Sequence, residues 1–152
     1  MHQLAVQEEV VAHRESTAHE GAQDRVGEVL DDLHRSAAQA DGERYLALFA
    51  PGAVFLGTDP SERWGLEAFR VFTLERFATG VGWSYTPTER HVSVSFDGQT
   101  AWFDERLEHA QYGQARGTGV LVLEDDWRVA QYSLSFPIPN AVAREVVQLA
   151  WG

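Results

Sequence analysis

The chain of 152 residues contains no cysteine. That excludes disulfides, thiolate nucleophiles and cysteine-based metal sites, and leaves the redox compartment open. No apolar run approaches the length of a membrane span. Basic residues are scarce: 12 Lys and Arg stand against 23 Asp and Glu, a formal charge of -11 at pH 7. Such a surface repels phosphate backbones and anionic lipid headgroups, which argues against nucleic-acid and membrane partners. Glu8 and Glu9 interrupt the N-terminus where a secretory signal needs unbroken apolar sequence, so the expectation is a cytoplasmic protein. No Gly-x-Ser-x-Gly elbow occurs. Gly113, Gly117 and Gly119 stand in a strand context, not between a strand and a helix, so no phosphate loop is formed. His13 and His19 are six residues apart, on different faces of any helix, and read as solvated side chains rather than metal ligands. Neither a cofactor nor a metal is expected.

What is present suffices for one core. The chain is 44% hydrophobic and 11% aromatic, and its length suits a single domain. Residues 1–23 are polar, with Leu4, Val6, Val10 and Val11 as a weak stripe, and read as an extension. From Asp24 the pattern sharpens: Val26, Val29, Leu30, Leu33 and Ala37 give a helix one apolar face. A second short helix follows Asp41-Gly42, with Tyr45, Leu46, Leu48 and Phe49 inward, and Pro51-Gly52 ends it. Ala53 to Gly57 reads as a strand and Thr58 to Arg63 as a polar loop. Leu66, Phe69, Phe72 and Phe77 mark a third helix, stopped at Gly80 and Gly82. Trp83 to Thr86 is extended. Long strands follow over His91 to Phe96, Thr100 to Ala110, Arg116 to Leu123 and Trp127 to Phe136. Asp97-Gly98 is a strong two-residue hairpin signal. Asn140 caps a terminal helix over 140–152, expected to pack on a domain spanning 24–139. Helices segregated from an antiparallel sheet make an α+β fold.

Asp41-Gly42-Glu43-Arg44-Tyr45 followed by Leu48-Phe49-Ala50-Pro51-Gly52-Ala53-Val54-Phe55 resembles the helix-to-strand passage of the SnoaL-like branch of the nuclear transport factor 2-like superfamily. Thr58-Asp59-Pro60-Ser61-Glu62-Arg63-Trp64, Asp97 to Phe103 and Trp127 to Tyr132 carry the same resemblance. It covers residues 24 to 139 and implies a cone-shaped curved antiparallel sheet, covered by N-terminal helices, with an interior pocket and often a homodimer formed through the sheet. It implies no single activity, so function has to come from the site.

The hairpin fixes which residues oppose each other. With Asp97 and Gly98 central, Phe96 pairs with Gln99, Ser93 with Trp102, and His91 with Asp104. A bulge at Gly98 would instead separate the last pair. Similarity to the family's sheet assigns Trp102, Asp104 and Arg106 to the cavity, with Arg116, Thr118 and Val120, and with Ala130, Tyr132, Leu134 and Phe136. A one-residue slip exchanges these faces completely. On that assignment Asp104 and His91 are the candidate acid–base pair. Tyr45 and Tyr132 are candidate hydrogen-bond donors to a ligand. Trp64, Phe69 and Trp102 are candidate aromatic walls. Arg116 would either hold an acidic ligand or pair with Glu108 across the strands. Three readings follow: a small-molecule-binding domain, a cofactor-independent isomerase or cyclase, and an oligomerisation module using the face of Phe103, Glu105, Trp127, Val129, Gln131, Ser133 and Ser135.

Overall fold

The computed structural model describes the backbone of residues 2–152 and the side chains of residues 19–152. The Leu4–Val11 stripe, His2 and His13 lie outside the described side chains. Helix α1 (His2–Ala38) runs through the boundary expected at residue 24 without a break. Its stripe is buried as the spacing requires: Val26, Val29, Leu30, Leu33 and Ala37 are all at most 2% exposed. Ala40 ends it with a positive φ of 55°, and Asp41 then caps α2 (Gly42–Ala47) by accepting the Arg44 backbone N–H.

Strand β1 (Phe49–Leu56) begins four residues before the start expected at Ala53. Phe49 is already opposite Val129, and the Val129 N–H donates to the Leu48 carbonyl. Gly52, at φ 75°, absorbs a bulge instead of stopping a helix, and pairing resumes at Val54. The expected polar loop closes on a short strand β2 (Arg63–Gly65), which leads into α3 (Leu66–Ala78). Strands β3 (Thr86–Val94), β4 (Thr100–His109), β5 (Gly113–Leu123) and β6 (Trp127–Ser135) form the meander. The sheet order is β2-β1-β6-β5-β4-β3, curled and unclosed, with β2 and β3 as edges. One pairing is not antiparallel. After three reversals β6 returns beside β1 in the same direction, and a parallel pair joins the meander to the first strand. The fold is α+β as expected.

The Asp97-Gly98 register is as counted: Ser93 opposes Trp102 and His91 opposes Asp104. The faces are exchanged. Ala101, Phe103, Glu105 and Leu107 are buried under the helices, whereas Trp102 is 50% exposed and Asp104 and Arg106 point outward beside it. The apolar alternation explains the outcome, because three of the four inward positions are Ala, Phe and Leu. On β5 the inward set is Ala115, Gly117 and Leu121, in place of Arg116, Thr118 and Val120. On β6 a register shift at Ala130 lets both Val129 and Tyr132 face the core, so Tyr132 is inward as expected. Phe103, Glu105, Trp127 and Val129 are therefore interior and cannot belong to an outer interface.

After a single 3-10 turn at Asn140–Val142 comes α4 (Ala143–Trp151). No residue of α4 is buried, and Leu149 and Trp151 are 89% and 74% exposed, so burial gives no sign of the expected packing on the domain. Among the described residues no helix is long and apolar enough to cross a membrane.

The segment after α3 is fixed to α1 by close backbone approach. The Trp83 N–H donates to the Ala37 carbonyl, and a Cβ on Gly82 would overlap that same oxygen. Backbone cannot swing aside as a side chain can. Gly82→Ala is expected to cost about 1–3 kcal/mol, read as a lower urea midpoint with an unchanged slope.

Candidate functional site

One charged residue breaks the apolar alternation of β4, and the interior polar network forms around it. Glu105 has a fully buried side chain. Its Oε1 accepts from the Tyr132 hydroxyl at 2.8 Å and lies 2.6 Å from His34 Nε2. Its Oε2 accepts from Arg90 Nε at 2.8 Å. Arg90 Nη1 reaches on to the Gly27 carbonyl and to Asp31 Oδ1, which ties β3 to α1. Burial is the largest influence on Glu105 and opposes its charge. The His34 hydrogen bond, the charges of His34 and Arg90, and the Tyr132 hydroxyl outweigh it, and the carboxyl stays below its usual range. Burial and the adjacent Glu105 charge push the Tyr132 phenol well up, so it remains a neutral donor. An ionised carboxylate can only accept, so the Nε2 of His34 carries the proton. When the ring is neutral, Nδ1 is the acceptor, and it makes no hydrogen bond among the described residues.

Beside this network lies a cavity of about 280 Å³. Seven of its twelve lining residues are aromatic. Phe69 from α3, Phe55 from β1 and Tyr132 from β6 form a continuous stack, with centroids 4.5 and 5.7 Å apart and planes within 10°. Trp64 stacks on Phe72 at 5.0 Å. Deeper in lies a recess of about 20 Å³ bounded by His34, Tyr45 and Tyr132. It shares Phe55, Trp83, Tyr85 and Leu134 with the larger cavity. A volume of that size holds one water or one ligand oxygen.

The residues singled out from sequence divide between two places. Trp64 and Phe69 line the cavity, and Tyr45 and Tyr132 bound its recess. Burial raises the Tyr45 phenol strongly, so it also stays neutral. Trp102, Arg116, Asp104 and His91 are on the opposite face of the sheet. Asp104 and His91 are strand partners but share no hydrogen bond, because the imidazole goes to Glu89 at 3.2 Å. Both are exposed and line a depression of about 140 Å³ with Arg106 and Arg116. His34, Glu105 and Arg90 were missed. Glu105 could have been found as the single charge in an otherwise apolar alternation, and His34 as a polar residue beside the α1 stripe.

A six-stranded curled sheet with helices on its concave face defines the nuclear transport factor 2-like class. Solved structures agree. An NTF2-like protein of unknown function from Pseudomonas putida KT2440 is 13% identical, with TM-score 0.65 over 80% of this chain and 90% of that one. A proposed dehydratase of the NTF2-like family from Streptomyces avermitilis is 15% identical, with TM-score 0.68 over 79% and 99%. A proposed scytalone dehydratase from Novosphingobium aromaticivorans DSM 12444 is 16% identical, with TM-score 0.60 over 76% and 83%. At these identities the likeness is one of fold. Residues 26–139 match the SnoaL-like domain, and the chain belongs to that family. A comparison with curated proteins gives no match.

Proposed function

We propose that this domain binds a small, largely apolar molecule in the aromatic cavity, with one ligand oxygen seated in the recess at His34 and Tyr132. The observation that carries this reading is the wall the two spaces share at Phe55, Trp83, Tyr85 and Leu134: the apolar cavity borders a recess lined by His34 and Tyr132 of the charged network. Apolar walls with a few convergent polar groups are what small-ligand sites require. At about 280 Å³ the cavity is near the lower end of that size range, which favours a ligand of one or two rings. Thermal-shift titration with aromatic ketones and phenols tests it. A ligand at about 100 times its dissociation constant adds roughly 2.7 kcal/mol to the folded state. His34→Phe, which fills the recess and removes the ring nitrogens, is expected to abolish that shift. An equal shift in the variant contradicts the reading.

A second reading is proton transfer. A buried carboxylate holding the far nitrogen of an imidazole leaves the other nitrogen as a base, next to a recess that would receive the reacting group. The relatives described as proposed dehydratases favour testing it. If a bound ligand is turned over, His34→Gln is expected to lower kcat by about 10²–10⁴-fold. A homodimer through the outer sheet face fits either reading. Trp102 stands half-exposed there, in one row with Ser93, Val120 and Gln131. Sedimentation of Trp102→Glu against wild type tests that interface: a monomeric variant of a dimeric wild type supports it.

A further inference from the structure

The recess accounts for one end of a ligand, and the cavity wall outside it carries a carboxylate with no salt-bridge partner among the described residues. Glu62 lines the cavity among Trp64, Tyr85 and Tyr112. Its Oε1 accepts the Asp59 backbone N–H at 3.0 Å, which fixes the carboxylate. Its Oε2 has no hydrogen-bond donor and no cation partner among the described residues. The side chain is packed over Gly57, where a Cβ would stand 2.8 Å from the Glu62 Cβ, 2.9 Å from its Cδ and 3.0 Å from Oε2, so a larger residue there would displace the carboxylate. The opposite charge on the same wall is Arg76, whose guanidinium is tied to the following turn: Nε donates to the Val81 carbonyl at 3.2 Å and Nη2 to the Gly82 carbonyl at 3.5 Å, which uses two of its five N–H donors.

We infer that Glu62 selects a ligand bearing an organic cation, an amine or quaternary ammonium, at the end opposite the recess oxygen. Electron-rich ring faces attract such a cation, and an unpaired carboxylate among them adds a full counter-charge. The formal charge of -11 favours the approach of cations over anions. An acid would meet Glu62 directly and would have to share Arg76 with two carbonyls. Glu62 thus sets specificity, whereas His34 and Tyr132 set orientation. The assignment rests on the cavity reading above.

Tyramine, para-propylphenol and para-hydroxyphenylpropanoate test it. They share a phenol oxygen for the recess and differ only in the charge at the far end. Calorimetric titration of wild type and Glu62→Gln at pH 7 is the experiment. The amide can still accept the Asp59 N–H, so the loop is expected to keep its shape. Tyramine is expected to bind about tenfold tighter than the neutral phenol and the acid weakest, with Glu62→Gln erasing the tenfold preference and leaving the neutral phenol unchanged. Equal binding of tyramine and the neutral phenol in wild type, or tightest binding of the acid, overturns the cation assignment and leaves the cavity reading standing. A folded wild type that binds none of the three removes both.

Discussion

Glu105→Leu is expected to lower the unfolding free energy by about 3–5 kcal/mol, the usual cost of removing one partner from a buried ion pair. Leucine suits the strand and matches the apolar alternation of its neighbours, so the loss comes from what the carboxylate leaves behind. Arg90 keeps Asp31 and the Gly27 carbonyl but loses its interior partner. The Tyr132 hydroxyl, in a residue 3% exposed, loses its acceptor. For a chain of this size the change corresponds to a drop in Tm of about 6–20 °C. The pH dependence carries the sign. The native carboxyl lies below the ordinary value of 4.5, so its contribution is complete above that pH and is lost as pH falls through the lowered native value. The gap between wild type and Glu105→Leu should be full at neutral pH and close in acid. Asp59, Asp97 and Asp126 are also held low, but they are common to both proteins and cancel in the difference. A gap that persists unchanged into strong acid would mean the carboxylate charge is not what stabilises.

Gly117→Ala is expected to be nearly as damaging, by roughly 3 kcal/mol, although it adds one methyl group. Gly117 is on β5 opposite both Glu105 on β4 and Leu134 on β6. A Cβ there would overlap the Tyr132 hydroxyl, stand 2.7 Å from its Cζ and 3.1 Å from the Glu105 Cγ. Tyr132 must then move off the carboxylate, which breaks a hydrogen bond to a charged group and disturbs the recess floor. Ligand-induced thermal shifts should fall with the stability. A second substitution isolates the cause. Tyr132→Phe removes the overlapping oxygen, so Gly117→Ala should cost less in the Tyr132→Phe background than in wild type. Strict additivity of the two would place the strain elsewhere on the strand.

Local patterns were legible in the sequence, and partners distant along the chain were not. The α1 stripe follows from helical spacing, and the register of β3 on β4 follows from Asp97-Gly98 alone. Both are fixed by a few neighbouring residues. The direction of β1 beside β6 is not, because its pairing joins segments roughly 80 positions apart with α3 and four strands between them. The faces of β4 are legible in the clean alternation of Ala101, Phe103 and Leu107, which decides the burial against the face that the family's sheet implies. Asp104 and His91 were drawn together correctly and then placed on the wrong side of the sheet. The contact that organises the site, His34 to Glu105, spans 71 residues between a helix and a strand. No spacing rule connects them. What the sequence offered was a charge at an apolar position, and a fully buried charge must have a partner.

The most direct test follows the imidazole resonances of His34 and His91 by NMR while a thermal-shift hit is titrated in. These two histidines lie on opposite faces of the sheet, and each reports one candidate site. Saturable movement of the His34 ring signals, with the dissociation constant found by thermal shift and with His91 stationary, is the predicted result. Movement of His91 with His34 unperturbed would place the ligand on the outer face, beside Asp104 and Arg116, and would contradict the interior site.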